Sequence, residues 1–516
     1  MTMSSLDGDT KLPALEAQKR LSSDFERSAS ITKGPNGDTV IVKEDGESFT
    51  ISAAAERQLL WKFDLNILPL LAMMYLFNSL DKSNLGNAKT AGLEKDLGFA
   101  GTNKYNILLS IFFVPYVLTA PFLGVLGKIY GPSRVLPCMM FTFGSMTLFV
   151  IAVHNWSGLM ALRWFLGMAE SAFFPLVIYY ETQFYRRGEL ARRLALFYAA
   201  SNIAGAFGGL LAYGVFQIKS GSLPSWKYLF AIEGSLTIIG SFIAFIFLPY
   251  NAASARFLTP EEKKLAFYRI QVDSSAEVET KFNFREAVKI FKHWTSWVIL
   301  LIQMCLGIPL QSVSLFLPQI VARLGYSTIK TNLYTVAPNI TGAVMLLILA
   351  YSSDFTRLRF PFVIMGFLFT FTGFVIYGSI SDVHANERLA YFACFMMTWG
   401  TSAPSVILDV WYNNNIADEN RRMMLTSIGV PVANLMGVVS SNIFRTQDAP
   451  NYIPALATTA AFGGFGAVLT LLLGSWMIWD NRRRDSRQGG VKIRAKDVPT
   501  ERLKDGQDCE EFRWFY

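Results

Sequence analysis

Charge is scarce in this chain. Asp, Glu, Lys and Arg make up 17% of its 516 residues, while hydrophobic residues reach 52%; soluble domains usually carry ~25% charged residues. So little charge excludes a disordered chain, and so much apolar surface excludes an ordinary soluble enzyme. Cysteine is sparse too. Cys138, Cys305, Cys394 and Cys509 are scattered and form no CxxC pair, which argues against a disulfide framework and against a zinc site. His154, His293 and His384 lack metal-ligand spacing. No GxSxG, Walker or HExxH pattern occurs. No catalytic residue, metal or cofactor is therefore expected. No apolar run of signal-peptide length precedes Trp61. Residues 1–56 are polar and are expected to form a disordered cytoplasmic tail.

What is present is a row of apolar segments. Twelve can be marked, at roughly 62–92, 105–127, 134–153, 158–181, 192–215, 226–249, 293–317, 331–352, 360–379, 388–409, 421–444 and 456–480. About 20 apolar residues cross the ~30 Å hydrocarbon core as a helix. These runs lack the alternation of barrel strands, so helices are the remaining option. The expected fold is an all-α integral membrane protein of twelve transmembrane helices in two six-helix bundles. The bundles are 57–250 and 293–480, separated by a cytoplasmic loop at 251–292 and followed by a cytoplasmic tail at 481–516. In the loop, Thr259, Pro260 and Glu262 spell a helix start with a capping box.

Basic residues set the orientation. Lys128, Arg134, Arg186, Arg187, Arg192, Arg193, Arg357, Arg359, Arg421 and Arg422, with those of 250–292, fall on one side. That side carries more than twice the basic residues of the other, so both termini are expected in the cytoplasm. The run 481–487 (NRRRDSR) would meet anionic lipid heads. The net charge of +8 is thereby explained without nucleic acid. The expected partners are a lipid bilayer, a small-molecule organic anion and protons, the expected state is a monomer, and the expected site is the plasma membrane.

The first span is apolar only from Leu65 to Leu80 and continues as DKSNLGNAKTAGL. If that continuation is helical, Asp81, Asn84 and Ala88 share one stripe, which must face other helices or a cavity rather than lipid. Arg163 and Glu170, seven residues apart, share a face of span four. Asp81, Lys82, Arg163 and Glu170 sum to zero when both acids are ionised. Protonating one acid makes the group +1 and suits it to an anion; losing the proton weakens the anion again. Lys82 and Arg163 are thus substrate-binding candidates, with Asn84, and Asp81 and Glu170 are proton-coupling candidates. The plainer reading is that these charges only hold spans one and four together. Gln303, Gln311, Ser314, Asn339 and Asn434 are polar residues within apolar spans and could line a cavity or simply bond between helices. Asp409 is expected at the inner gate. The junctions GVLGKIYGPSR (124–134) and AYSSDFTRLR (350–359) repeat a tight basic turn, making Lys128, Arg134, Asp354 and Arg357 gating candidates.

Several segments carry a family resemblance: LDKSNLGNAKTAGLEKDLG (80–98), GPSRVLP (131–137), RWFLGMAESAFFP (163–175), AGAFGGLLAY (204–213), ARFLTPEEK (255–263) and SSNIF followed by DAP. Over residues 56–480 the chain resembles the major facilitator superfamily and, within it, the fungal branch of anion:cation symporters, which includes allantoate, nicotinate, pantothenate and biotin permeases. The resemblance implies alternating access, proton symport, a substrate anion at Lys82 and a proton path through Asp81 and Glu170. The chain departs from the branch where Lys82 replaces a usual Arg, where LTAPFLG (118–124) lacks a usual Glu, and where Gln311 replaces a usual Tyr. Lys128 stands where the superfamily usually has Asp. Two alternatives stay open: an exporter of a fungal secondary metabolite, and a nutrient sensor that binds without transporting.

Overall fold

The computed structural model describes residues 28–33, 39–43, 48–99, 102, 104–186, 189–216, 223–273, 283–326, 328–383, 385–416, 418–445, 448, 451–489 and 506–516. Parts of the expected N-terminal tail, of the 251–292 loop and of the C-terminal tail lie outside the described residues.

The segment expected to be a disordered tail contains a three-stranded antiparallel sheet: β1 (Ser28–Lys33), β2 (Thr39–Lys43) and β3 (Ser48–Ile51). Ile31 pairs with Ile41, and Val40 with Thr50. Overall polarity concealed the signal. Ile31, Thr32, Val40, Ile41, Val42, Thr50 and Ile51 are β-branched, and the intervening stretches KGPNGD and EDGE are turn-forming.

Most of the rest of the described chain is helical, including short helices at Leu93–Asp96 and Phe284–Val288. The longer helices are α1 (Ala53–Asn66), α2 (Leu68–Thr90), α3 (Lys104–Tyr130), α4 (Pro132–Phe149), α5 (Trp156–Glu170), α6 (Phe173–Glu181), α7 (Leu190–Val215) and α8 (Ser225–Phe247). They continue with α9 (Pro260–Asp273), α10 (Trp294–Ala322), α11 (Thr328–Thr356), α12 (Phe360–Ser379), α13 (Glu387–Asn414), α14 (Glu419–Ile443) and α15 (Ile453–Arg487). Two crossings are each made of two helices. Pro69 and Pro175 explain the breaks: a proline donates no hydrogen bond and crowds the carbonyl four residues earlier. Those carbonyls belong to Leu65 and Ser171, beside the interruptions at Ile67 and at Ser171–Ala172.

With α1–α2 and α5–α6 each counted once and α9 set aside, twelve crossings stand among the described residues. Eleven are long and apolar enough to span a bilayer. The exception is α13. Every residue from Gly400 to Asn414 on it is buried in protein, so Thr401, Ser402, Ser405, Asp409 and Asn413 need not meet lipid.

In the first half α4 packs on α8 and α3 on α5; in the second, α12 lies between α13 and α15, and α10 packs on α14. Between the halves α3 packs on α14, and α7 on α11. These are spans two with eleven and five with eight. Advancing the first pair by six spans gives the second pair, so the inter-bundle packing has the pseudo-two-fold relation of a repeated six-helix unit.

The loop helix α9 starts as its sequence dictates. Thr259 Oγ1 accepts from the Glu262 amide at 3.3 Å, and Glu262 Oε2 accepts from the Thr259 amide at 3.0 Å. The same Glu262 pairs with Lys62 of α1 at 2.7 Å, and Arg269 of α9 pairs with Glu56 of α1 and with Glu189. This face of the bundle, where α1 begins and α15 ends, is called the terminal face below.

Glycine permits the closest helix approach. A Cβ on Gly307 of α10 would lie 2.1 Å from the Ala433 carbonyl oxygen of α14, whereas one on Gly214 of α7 would meet nothing within 4 Å. Gly307→Ala should therefore destabilise the protein by about 1–3 kcal/mol, as overpacking does, while Gly214→Ala is neutral or better. Thermal unfolding of the two purified variants checks this; equal midpoints would contradict the close contact.

Candidate functional site

Five elements build the site in the first bundle, and three of them, α2, α5 and α8, bring charge. Helix α2 does continue through the polar stretch to Thr90. Asp81, Asn84 and Ala88 lie buried on one stripe, as their spacing requires. Helix α5 supplies Arg163 and Glu170, both buried, with Glu170 at its last position, just before the Ser171–Ala172 break. Helix α3 supplies Phe112 and Tyr116, and α4 supplies Thr147.

The centre is an ion pair. Lys82 Nζ lies 3.3 Å from Glu170 Oε2 and donates to Asn78 Oδ1 at 3.2 Å. Its ammonium sits 5.4 Å from the Tyr116 ring and 6.0 Å from that of Phe112, within reach of both ring faces. The Glu170 side chain is 0% exposed and that of Lys82 is 26% exposed. The cation is accessible while its partner is not. Arg163 stacks 5.8 Å from the other contact of Lys82, the Phe112 ring.

Asp81 and Arg163 line a second space, a cavity of about 10 Å³ shared with Thr147, Leu162 and Phe230. That is about the room one water position needs. Both carboxylate oxygens of Asp81, both carboxamide atoms of Asn84 and Nε of Arg163 are buried without a hydrogen-bond partner among the described residues. Buried polar atoms are normally paired, so this cluster has capacity for a proton, a water or a ligand group.

Sequence reading missed one member. Glu233 of α8 is buried, its carboxylate has no hydrogen-bond partner among the described residues, and it lies within electrostatic reach of Asp81. The signal was available as a single acid inside the apolar run YLFAIEGSLTIIG. With Glu233 the cluster holds three acids and two cations, not two and two.

The second-half candidates form their own contacts. Gln311 Nε2 donates to Asn434 Oδ1 at 2.9 Å, joining α10 to α14. Asn339 bonds to the Thr335 carbonyl of its own helix and faces Gly205 of α7. Gln303 donates to Asp409 at 2.6 Å. No hydrogen bond or ion pair between described residues joins these groups to the Lys82 cluster.

The gating candidates separate in two ways. Lys128 donates to Asn420 Oδ1 at 2.6 Å, which ties α3 to α14 across the two halves on the terminal face. Arg134 lies 5.9 Å from the Tyr250 ring, inside its own half. Asp354 pairs at 2.5 Å with Arg359, not with Arg357. Arg357 takes a left-handed backbone, φ 57°, and is exposed, so the turn directs it away while Arg359 is buried.

A broad groove of about 2110 Å³ lies elsewhere, lined by Phe122, Phe165, Ile246 and Phe247. It opens between exposed apolar side chains on the first bundle, is also lined by Arg134 and Arg256, and contains none of the charged cluster.

Comparison with known proteins gives the class. Residues 71–441 match the family model for the Major Facilitator Superfamily. The chain is 50% identical to an uncharacterized transporter of Schizosaccharomyces pombe, over 100% of this chain and 98% of that one. It is 32% identical to the high-affinity nicotinic acid transporter of Saccharomyces cerevisiae, over 89% of this chain and 85% of that one. In structure it matches the xylose transporter XylE from E. coli with a TM-score of 0.58 at 12% identity, over 80% of this chain and 97% of that one; at that identity the likeness is one of fold. The chain belongs to the Major Facilitator Superfamily and is a multi-pass membrane protein of the secondary-transporter class.

The Asp354 pairing yields a test. Arg359→Ala removes the buried cation that pairs with Asp354, a loss of about 3–5 kcal/mol for a broken buried pair, whereas Arg357→Ala removes only an exposed charge. Thermal unfolding of both variants should show a large drop for the first and almost none for the second. The reverse order would make Arg357 the partner.

Proposed function

We propose that this protein moves a small organic anion across the membrane in symport with protons, by alternating access between its two bundles. The observation that carries the reading is the Lys82–Glu170 pair, with an accessible cation and a fully buried acid. A carboxylate arriving at Lys82 competes with Glu170 for the ammonium. Once displaced, Glu170 would be an uncompensated charge in a buried site. Such a charge is far more costly than the neutral acid, so anion arrival and proton uptake become one event. Release of the anion returns the ammonium to Glu170 and frees the proton.

The charge balance supports the same coupling. Asp81, Glu170 and Glu233 against Lys82 and Arg163 give −1 when all are ionised; one proton gives zero and two give +1. Each bound proton favours an anion, and reciprocally each anion favours a proton. Phe112 and Tyr116 beside Lys82 suit a carboxylate attached to a flat or apolar body. A nicotinic acid transporter among the relatives is consistent with that class. Asn84, Gln311, Asn339 and Asn434 are the polar residues we assign to the rest of the substrate path. Lys128, Arg134 and the Asp354–Arg359 pair belong to the gates on the terminal face. We assign that face to the cytoplasm, with both termini inside and the plasma membrane as the site of action; the basic loops support this.

Uptake of labelled nicotinate and other small carboxylates into proteoliposomes, with an imposed pH gradient of either sign, tests the reading and its direction. Lys82→Ala should lower uptake at least about tenfold, since a hydrogen bond to a charged group is worth about 1.5–3 kcal/mol, and Lys82→Arg should keep much of it. Normal uptake by Lys82→Ala would remove Lys82 as the anion site. Glu170→Gln should lose pH-driven accumulation yet retain exchange of labelled for unlabelled anion, because exchange needs no net proton movement. Parallel loss of both, with loss of folded protein, would instead mean a structural pair. Glu233→Gln, by removing the negative charge that Glu233 carries once deprotonated, should lower KM for the anion at alkaline pH, where the buried acid is ionised; an unchanged or raised KM there would exclude it from the charge balance.

A further inference from the structure

The end of the chain is not a loose tail. Residues 506–516 lie on the terminal face of the second bundle in a seat made by α10, α12, α13 and α15. Two asparagines hold its main chain. The Asn415 carboxamide, just past α13, donates to the Phe515 carbonyl at 2.8 Å and accepts from the Phe515 amide at 2.8 Å. The Asn481 carboxamide, on α15, does the same for Trp514, at 2.9 and 2.8 Å. Each side chain thus engages both main-chain groups of one residue, as a neighbouring strand would.

The side chains of this segment are equally engaged. Trp514 is 2% exposed, donates to Asp480 at 2.8 Å, and packs edge-on against Trp476. The Arg513 side chain is 0% exposed and pairs with Asp485 at 2.9 Å. Trp411 of α13 donates to the Phe515 carbonyl at 3.0 Å, and Arg359 lies 5.6 Å from the Phe515 ring. A sequence of seven residues, EEFRWFY, thereby contacts three helix ends that are far apart in the chain.

The position of the seat matters more than its tightness. Asn415, which holds Phe515, is five residues before Asn420, which accepts the Lys128 bond between the bundles. Between them lies only the turn from α13 to α14, with Asp418 capping α14 through the Arg421 amide at 2.7 Å. The turn that starts at Asn415 leads directly into the first residues of α14, which carry the latch.

We propose that the seat around Trp411, Asn415, Asp480, Asn481 and Asp485 is a peptide-binding site whose ligand is the chain's own Glu510–Tyr516 segment, and that its occupancy holds the terminal face closed. Undocking lets the α13–α14 turn move and lowers the cost of separating the bundles on that side. The proposal uses the superfamily's two-bundle motion but not the anion or proton assignments, and its test contains no substrate.

The reporter is Ser427→Cys. Ser427 is buried on α14 against Gly124 of α3, two turns from Asn420. It is placed in a full-length chain whose four native cysteines are serine. The rate of N-ethylmaleimide labelling in membranes reads separation of the bundles. Trp514→Ala should raise that rate roughly fivefold or more, the effect of about 1 kcal/mol on a two-state balance. Asn481→Asp, which loses the donor at almost constant volume, should act in the same direction. In a chain lacking residues 510–516, added EEFRWFY peptide should slow labelling again while a scrambled peptide does not; that rescue separates undocking from misfolding. Unchanged labelling in Trp514→Ala and Asn481→Asp, or equal effects of the two peptides, overturns the proposal.

Discussion

Everything at the centre of the first bundle depends on one constraint: a carboxylate has been placed where water is excluded. Glu170 is fully buried on α5. In such a place it persists as an anion only beside a cation, and Lys82 of α2 is that cation. The pair links α2 to α5. It also explains why the end of span one can be polar, since Asp81 and Asn84 face the same interior. Because Lys82 remains partly accessible and Glu170 does not, the two partners are unequal toward anything arriving from solution. That asymmetry makes the pair a candidate for coupling as well as a staple.

The break after Glu170 belongs to the same design. Pro175 interrupts the helix at Ser171–Ala172, and Thr119 of α3 donates to Ser171 Oγ at 3.0 Å there. An acid at the end of a helical segment, next to a proline-made discontinuity, sits on backbone whose hydrogen bonding is already interrupted. Small rearrangements at that point cost less than within a continuous helix. The Gly167 approach to Phe112, where an added Cβ would lie 2.1 Å from a carbonyl oxygen, holds α3 and α5 close enough for Phe112 to serve both Lys82 and Arg163.

How much of this was legible in the sequence depended on whether the signal was local. The spans, the capping box at Thr259 and the stripe through Asp81, Asn84 and Ala88 are matters of spacing along one segment, and they emerged directly. Glu233 is visible as an acid in an apolar run, but so apolar a run specifies a span whatever the acid faces. The Arg359 partnership depended on a left-handed residue at Arg357, which the turn sequence does not announce. The sheet at Ser28–Ile51 was hidden by an average, since polar turns diluted β-branched strands. The pairing of Gln311 with Asn434 joins residues more than a hundred positions apart and follows only from packing.

The C-terminal segment is the extreme case, and it shows why polar ends of membrane proteins resist reading by composition. Phe512, Trp514, Phe515 and Tyr516 flank one internal charge, Arg513, in a stretch too short to be a helix or a span. Nothing within it specifies a partner. The specificity lies in the seat, where Asn415 and Asn481 stand at the ends of helices that must be water-facing for the protein to sit in a bilayer. An asparagine there costs nothing against solvent, so its presence carries no local information. It becomes informative only when a main chain crosses it, because one carboxamide can satisfy one donor and one acceptor at once. The same economy appears at the end of α13, where Asn413 and the following Asn415 bond to carbonyls four residues earlier, at Asp409 and Trp411. A helix end finished by its own asparagines is preformed for docking: the carbonyls are already satisfied, and the remaining polar positions are free to hold a strand rather than to repair the helix.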